Sequence, residues 1–225
     1  NNNNNNLNTM KNLFAIIALI IATVLTFTLN LNAQDFFMND DVEDSFTIVN
    51  NDNDFRIESA GALGARPRTG NCASELYGCF EQVFPEGITI GTNENTLVFT
   101  SAESITAFLP SFGSMKTIPT TMIDPTSREL RSTFAARVLA LKLSVMMDQA
   151  NADFAGSNHT MANCTIKDGL FAGTSVARFL SICDAAIAGE ATAMPAKVIE
   201  AQLGQLCTNY APGNIADEML KPARN

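Results

Sequence analysis

The chain has 225 residues and carries 23 acidic side chains against 14 Lys and Arg, a formal net charge of −9. That balance argues against a nucleic-acid partner, whose phosphates call for a basic surface. Trp is absent and Tyr occurs twice, which removes the usual aromatic platforms for stacking on sugars, while 15 Phe leave apolar binding open.

Residues 1–9, an Asn-rich run, carry no fold logic. From Met10 the order is one basic residue, Lys11, an uncharged apolar stretch from Leu13 to Leu31, and a small residue, Ala33, before Gln34. This is the order of a secretory signal peptide, so residues 1–33 are expected to be removed and the mature chain to be secreted or periplasmic. A retained anchor is the rival reading, since the stretch approaches the roughly 20 residues that span a bilayer. Thr23, Thr26, Thr28, Asn30 and Asn32 make its second half too polar, and no basic stop follows. No stable membrane span is therefore expected after cleavage.

Asp35 to Asp54 is dense in carboxylates and Asn, and predicts an extended acidic arm. Ala60 to Gly70, punctuated by Gly, Pro and Arg, reads as a linker. The expected division is 1–33 upstream tail and signal peptide, 34–70 acidic arm and linker, and 71–225 a single compact α-rich domain.

Within that domain, Ile88–Ile90 and Thr96–Thr100 read as strands joined by GTNEN, a hairpin. Thr100 with Glu103 has capping-box spacing and predicts a short helix, 101–109, ended by Pro110. The longest periodic stretch runs from Thr126 to Ala150. Leu130, Phe134, Val138, Leu141 and Val145 recur in steps of three and four, and a second row at Leu139, Leu143, Met146 and Met147 widens the apolar face. A helix this apolar needs neighbours on most sides, so it is expected to be the central one, with Thr126 and Glu129 as its capping box. Cys164–Lys167 reads as a short strand. A helix follows from Gly173-Thr174 to Gly189, and a last one, 196–209, opens after Pro195. The fold class expected is mainly α with a small β-hairpin.

Phe84–Gly91 (FPEGITIG), Asn95–Gly113 (NTLVFTSAESITAFLPSFG), Phe134–Gly156 and Gly169–Gly189 stand in an order that resembles a helical module of secreted proteins of Bacteroidota-type bacteria. The resemblance covers roughly Cys79 to Gly189. It implies export and an extracellular or surface role, and implies no activity. Proteins carrying such modules often end in a β-rich sorting domain, whereas this chain ends in KPARN, so attachment by that route is not expected.

No nucleophile elbow, Walker loop or dinucleotide fingerprint occurs. His159 is the sole histidine and lies in a polar loop, so several-histidine zinc chemistry is excluded and no catalytic residue is assigned. Asp148, Asn151 and Asp153, after the apolar stretch, offer hard oxygens of the kind calcium takes, without the turn Gly or distal Glu of an EF-hand. Helix-end capping is the plainer explanation. Calcium is the one cofactor left open. Two glycosylation sequons, at Asn158 and Asn163, are chance matches under a bacterial leader. Five cysteines in an exported chain predict one or two disulfides. Cys72 with Cys79 closes a small loop, and Cys164 can meet Cys183 if the strand folds back along the following helix.

These features point to a secreted, non-enzymatic module for extracellular binding or surface assembly, with a partner that the sequence leaves unidentified. The alternative is a periplasmic or secreted enzyme of unrecognised type, which requires Asp148, Asp153 and His159 to line one cleft.

Overall fold

A computed structural model describes residues 54–214 and 217–222. The chain divides into Asn1–Thr47 and Ile48–Asn225, and every described residue belongs to the second unit. The expected signal peptide and nearly all of the acidic arm lie outside the described residues. Among those residues, no helix is long and apolar enough to cross a membrane.

The helices are α1 (Ala60–Leu63), α2 (Cys72–Val83), α3 (Ala102–Phe108), α4 (Thr133–Ala150), α5 (Val176–Ile187) and α6 (Ala196–Asn209). The strands are β1 (Ile88–Thr92), β2 (Asn95–Phe99), β3 (Met122–Ile123), β4 (Thr165–Ile166) and β5 (Leu220–Lys221). The fold is α-rich, as expected, but the β part exceeds one hairpin. β1 and β2 pair antiparallel around a two-residue turn in which Asn93 takes φ +53°, and β3 adds to β2 in parallel. β4 pairs antiparallel with β5. Alternation decides the facing of the hairpin: Ile88, Ile90, Leu97 and Phe99 point inward and are buried.

α4 is central. Eleven of its residues are buried, and α1, α2, α5, α6 and β1 all touch it. Leu141 is fully enclosed, and removing such a side chain from water contributes about 1.5–3 kcal/mol. The helix begins later than its periodicity suggests, at the N-cap Ser132, whose hydroxyl accepts from the Ala135 N–H. Ser111 is the reason. Its buried hydroxyl donates to the Leu130 carbonyl at 2.9 Å and accepts from Ser132 N–H at 3.1 Å, holding those residues extended. The Thr126–Glu129 pair forms, but it closes a separate turn. Likewise α3 is capped by Ser101 with Ser104, one residue along from the expected Thr100 and Glu103. Thr100 instead donates its N–H and hydroxyl to Asp124.

The expected linker, 60–70, is not a boundary. Phe55, Ile57 and Leu63 are core residues, and the Ile57 N–H bonds the Tyr210 carbonyl at 2.9 Å. Gly64 is required there, because a Cβ on it would stand 2.2 Å from the Leu109 carbonyl oxygen. Glycine serves close approach here, not punctuation. The packed unit thus reaches back at least to Phe55.

The expected disulfides are corrected as well: no two of the cysteines are at disulfide distance. Cys72 and Cys79 share α2, seven residues apart, which is about 10 Å of helix axis where a bridge needs Cα atoms within about 7 Å. Cys164 does meet α5, but at its first turn, where its carbonyl accepts from Val176 N–H at 2.9 Å. Cys183 is seven residues further along that helix, again about 10 Å away. The strand ends beside the helix start instead of running along it.

Candidate functional site

Two of the residues proposed for calcium, Asp148 and Asn151, have side-chain oxygens occupied by backbone N–H groups at the end of α4. Asp148 is half-buried and its Oδ2 accepts from Met161 N–H at 2.8 Å. Burial pushes its carboxyl above the ordinary range, with the Met161 bond acting in the opposite direction. Asn151 caps the helix, and its Oδ1 accepts from Asp153 N–H at 3.0 Å. The His159 N–H donates to Ser157 Oγ at 3.1 Å. Among the described residues no group of three or more His, Cys, Asp or Glu could hold a metal ion.

The most developed surface feature lies next to that helix end, around Arg56. Its Nε donates to Glu58 Oε1 at 2.6 Å, Nη2 to Glu75 Oε2 at 3.0 Å, and Nη1 to the Phe154 carbonyl at 3.3 Å. The guanidinium also lies over the Phe154 ring, 4.6 Å from its centroid. Glu58 is buried, and its N–H bonds Ser144 Oγ at 2.9 Å on the inward face of α4. Burying a carboxylate is costly unless a cation lies against it, and Arg56 is that cation. Desolvation pulls the guanidinium's pKa down, and Glu58 and Glu75 more than reverse it. Cys72 lies in the same field. Its thiol is pushed far up, first by burial and then by Glu58.

Arg56 and Phe154 form a wall shared by two open grooves. One, of about 460 Å³, runs past Glu75, Met147, Asn151 and Asp153. The other, of about 530 Å³, runs past Phe55, Gly156, Tyr210 and Asn214. Asp153 is thus the one residue of the expected enzyme cleft that lines the first groove; Asp148 and His159 line neither. The grooves are lined by both apolar and polar residues, a mixture suited to binding.

A second charged network went unread. Lys142, in mid-α4, donates from Nζ to the Thr89 carbonyl at 2.7 Å and to Asp184 Oδ2 at 2.8 Å, and Asp184 Oδ1 accepts from Gly91 N–H at 2.9 Å. Gly91 has φ +90°, and a Cβ there would stand 2.2 Å from the Asn95 carbonyl oxygen. The hairpin tip is tied further: Asn95 donates to the Ala188 carbonyl, and Thr92 and Asn93 both donate to Glu190. The available signal was a lone Lys and a lone Asp, each within an apolar helical stretch, where a buried charge implies a partner.

Glu58, Asp148 and Asp184 therefore act as acceptors that tie elements together. Comparison with protein-family models, with curated proteins and with solved structures gives no match to this chain.

Proposed function

We propose that the chain is a secreted, non-enzymatic module for extracellular binding or surface assembly, and that the grooves flanking Arg56 and Phe154 receive the partner. One observation carries the reading. The shared wall is preorganised by four interactions on a single guanidinium, so a partner meets a rigid rim and little ordering cost remains. Glu75, a carboxylate lining the smaller groove, supports it, since it already accepts from Arg56. Export is part of the proposal and rests on the leader and the resemblance.

Ala150 is an exposed residue of the smaller groove, so Ala150→Trp fills the groove without disturbing the core. Tagged chain recovered from culture medium or periplasm is expected to begin at Gln34 by intact mass and to retain a partner that the Trp variant loses. Retention of the same protein by both would overturn the groove assignment. A chain held in the membrane fraction with Met10 intact would overturn export.

A further inference from the structure

We propose that a second surface, formed by Phe112, Arg128 and Arg131, binds an acidic peptide segment that carries an apolar side chain. This surface is distinct from the Arg56 grooves, and the inference goes beyond the reading above.

Phe112 is 66% exposed, and single exposed apolar residues are ordinary. Here the loop allows the ring no retreat. Ser111 on one side is buried with both its hydroxyl bonds made, to Leu130 and Ser132. Gly113 on the other side donates its N–H to Thr133 Oγ1 at 3.2 Å and accepts from that hydroxyl at 3.0 Å. Gly113 also lies so close to Arg131 that a Cβ would stand 2.6 Å from the Arg131 carbonyl oxygen. The backbone on both sides of the ring is pinned, so a shift of the loop cannot draw the ring inward, and little ordering of that backbone remains to be done on binding.

Beside it, a shallow groove of about 340 Å³ is bounded by Pro110, Ser127, Arg128 and Arg131. Both arginines are exposed, and among the described residues neither guanidinium has a carboxylate partner. The acid between them in sequence, Glu129, accepts instead from the N–H and hydroxyl of Thr126 at 2.8 and 2.9 Å. The first turn of α4, which starts here, contains no acidic residue. Two exposed guanidiniums against the single carboxylate of Glu129 leave a local excess of positive charge on a chain of net charge −9.

Charge complementarity selects the occupant. Guanidinium groups take carboxylates in two-pronged hydrogen bonds, and Phe112 with Pro110 gives an apolar side chain a seat next to them. Nucleic acid would meet the same arginines, but the negative charge of the whole chain opposes it.

The test uses purified full chain and a fluorescent peptide alternating glutamate and phenylalanine, read by anisotropy. Arg128→Gln with Arg131→Gln is expected to weaken binding about tenfold or more, as for arginine anchors at interface centres. Phe112→Ser should weaken it too. Arg66→Gln with Arg68→Gln removes equal charge from another exposed pair and is expected to leave binding within about twofold, the size of a distant screened charge. All these side chains are exposed, so each variant should melt with the parent. No binding by the parent, equal losses in the two arginine pairs, or equal affinity for a peptide with glutamine in place of glutamate would each overturn the proposal.

Discussion

Arg56 and the pair Arg128–Arg131 are the same side chain in opposite circumstances. Arg56 is tied to Glu58, Glu75 and Phe154, and the residue whose buried carboxylate it neutralises is bound to α4 through its backbone N–H. Arg128 and Arg131 stand exposed around a groove. The contrast separates cations that hold the fold from cations available to a partner, and it is visible only as a pattern of partners, since residue type and net charge are the same. Lys142 with Asp184 belongs to the first class, joining α4, α5 and β1.

The largest effect expected bears on the scaffold that both regions share. Leu141→Asp puts an unpaired carboxylate in a site with no exposure, a cost of several kcal/mol against a total stability of about 5–15. Loss of the cooperative transition is expected; a melt near the parent temperature would show that α4 is peripheral.

Next in size is the cysteine chemistry, which sharpens the comparison by testing the field around Glu58. Burial raises the thiols of Cys72, Cys79 and Cys183, and pushes that of Cys207 up to about 12, with Arg137 acting the other way. All five cysteines should resist alkylation in the folded chain at neutral pH and react once it is unfolded without reductant. A peptide joining Cys72 to Cys79 would break α2. The thiols also bear on compartment: five in an exported chain run against the usual pairing in oxidising surroundings, so the same map tests the export proposal.

A smaller effect is expected at Asp148. Its folded pKa is raised above the ordinary 3.8, so the folded state holds the proton more tightly than the unfolded state does. Its contribution to stability is present at low pH and is lost as pH rises through the folded value. Asp148→Asn keeps an oxygen for Met161 N–H and should be slightly more stable than the parent at neutral pH, with that advantage vanishing in acid. The reverse order in urea melts at the two pH values would refute the assignment.

Long periodic segments were legible. The last helix, 196–209, matches in both bounds, and α4 and α5 match in their C-terminal ends or stop signals because apolar spacing and Gly189 decide them. α2 was equally periodic, with Cys72, Leu76 and Phe80 four apart, but the cysteines drew a disulfide reading over it. Two-residue strands such as β3 and β5 have no period to read. The start of α4 depends on Ser111, some 20 residues away, and the Arg56 site joins residues 19 and 98 positions apart. Asn151 is legible as a helix-end residue and stands at the C-cap of α4, whereas the bond of Asp148 to Met161, 13 residues further on, has no local signal. Phe112 was one Phe among 15, and its exposure follows from bonds its neighbours make across the fold.

The most direct test sets the two regions side by side in urea unfolding of the full chain. Arg56→Met strands Glu58 in the interior, and with Arg56 itself partly exposed the loss should be about 2–4 kcal/mol, the lower part of the range for a broken buried pair. Arg128→Gln with Arg131→Gln should stay within about 0.5 kcal/mol of the parent, as surface changes do. Equal losses in the two, or a stable Arg56→Met, would contradict the division between cations that hold this fold and cations left for a partner.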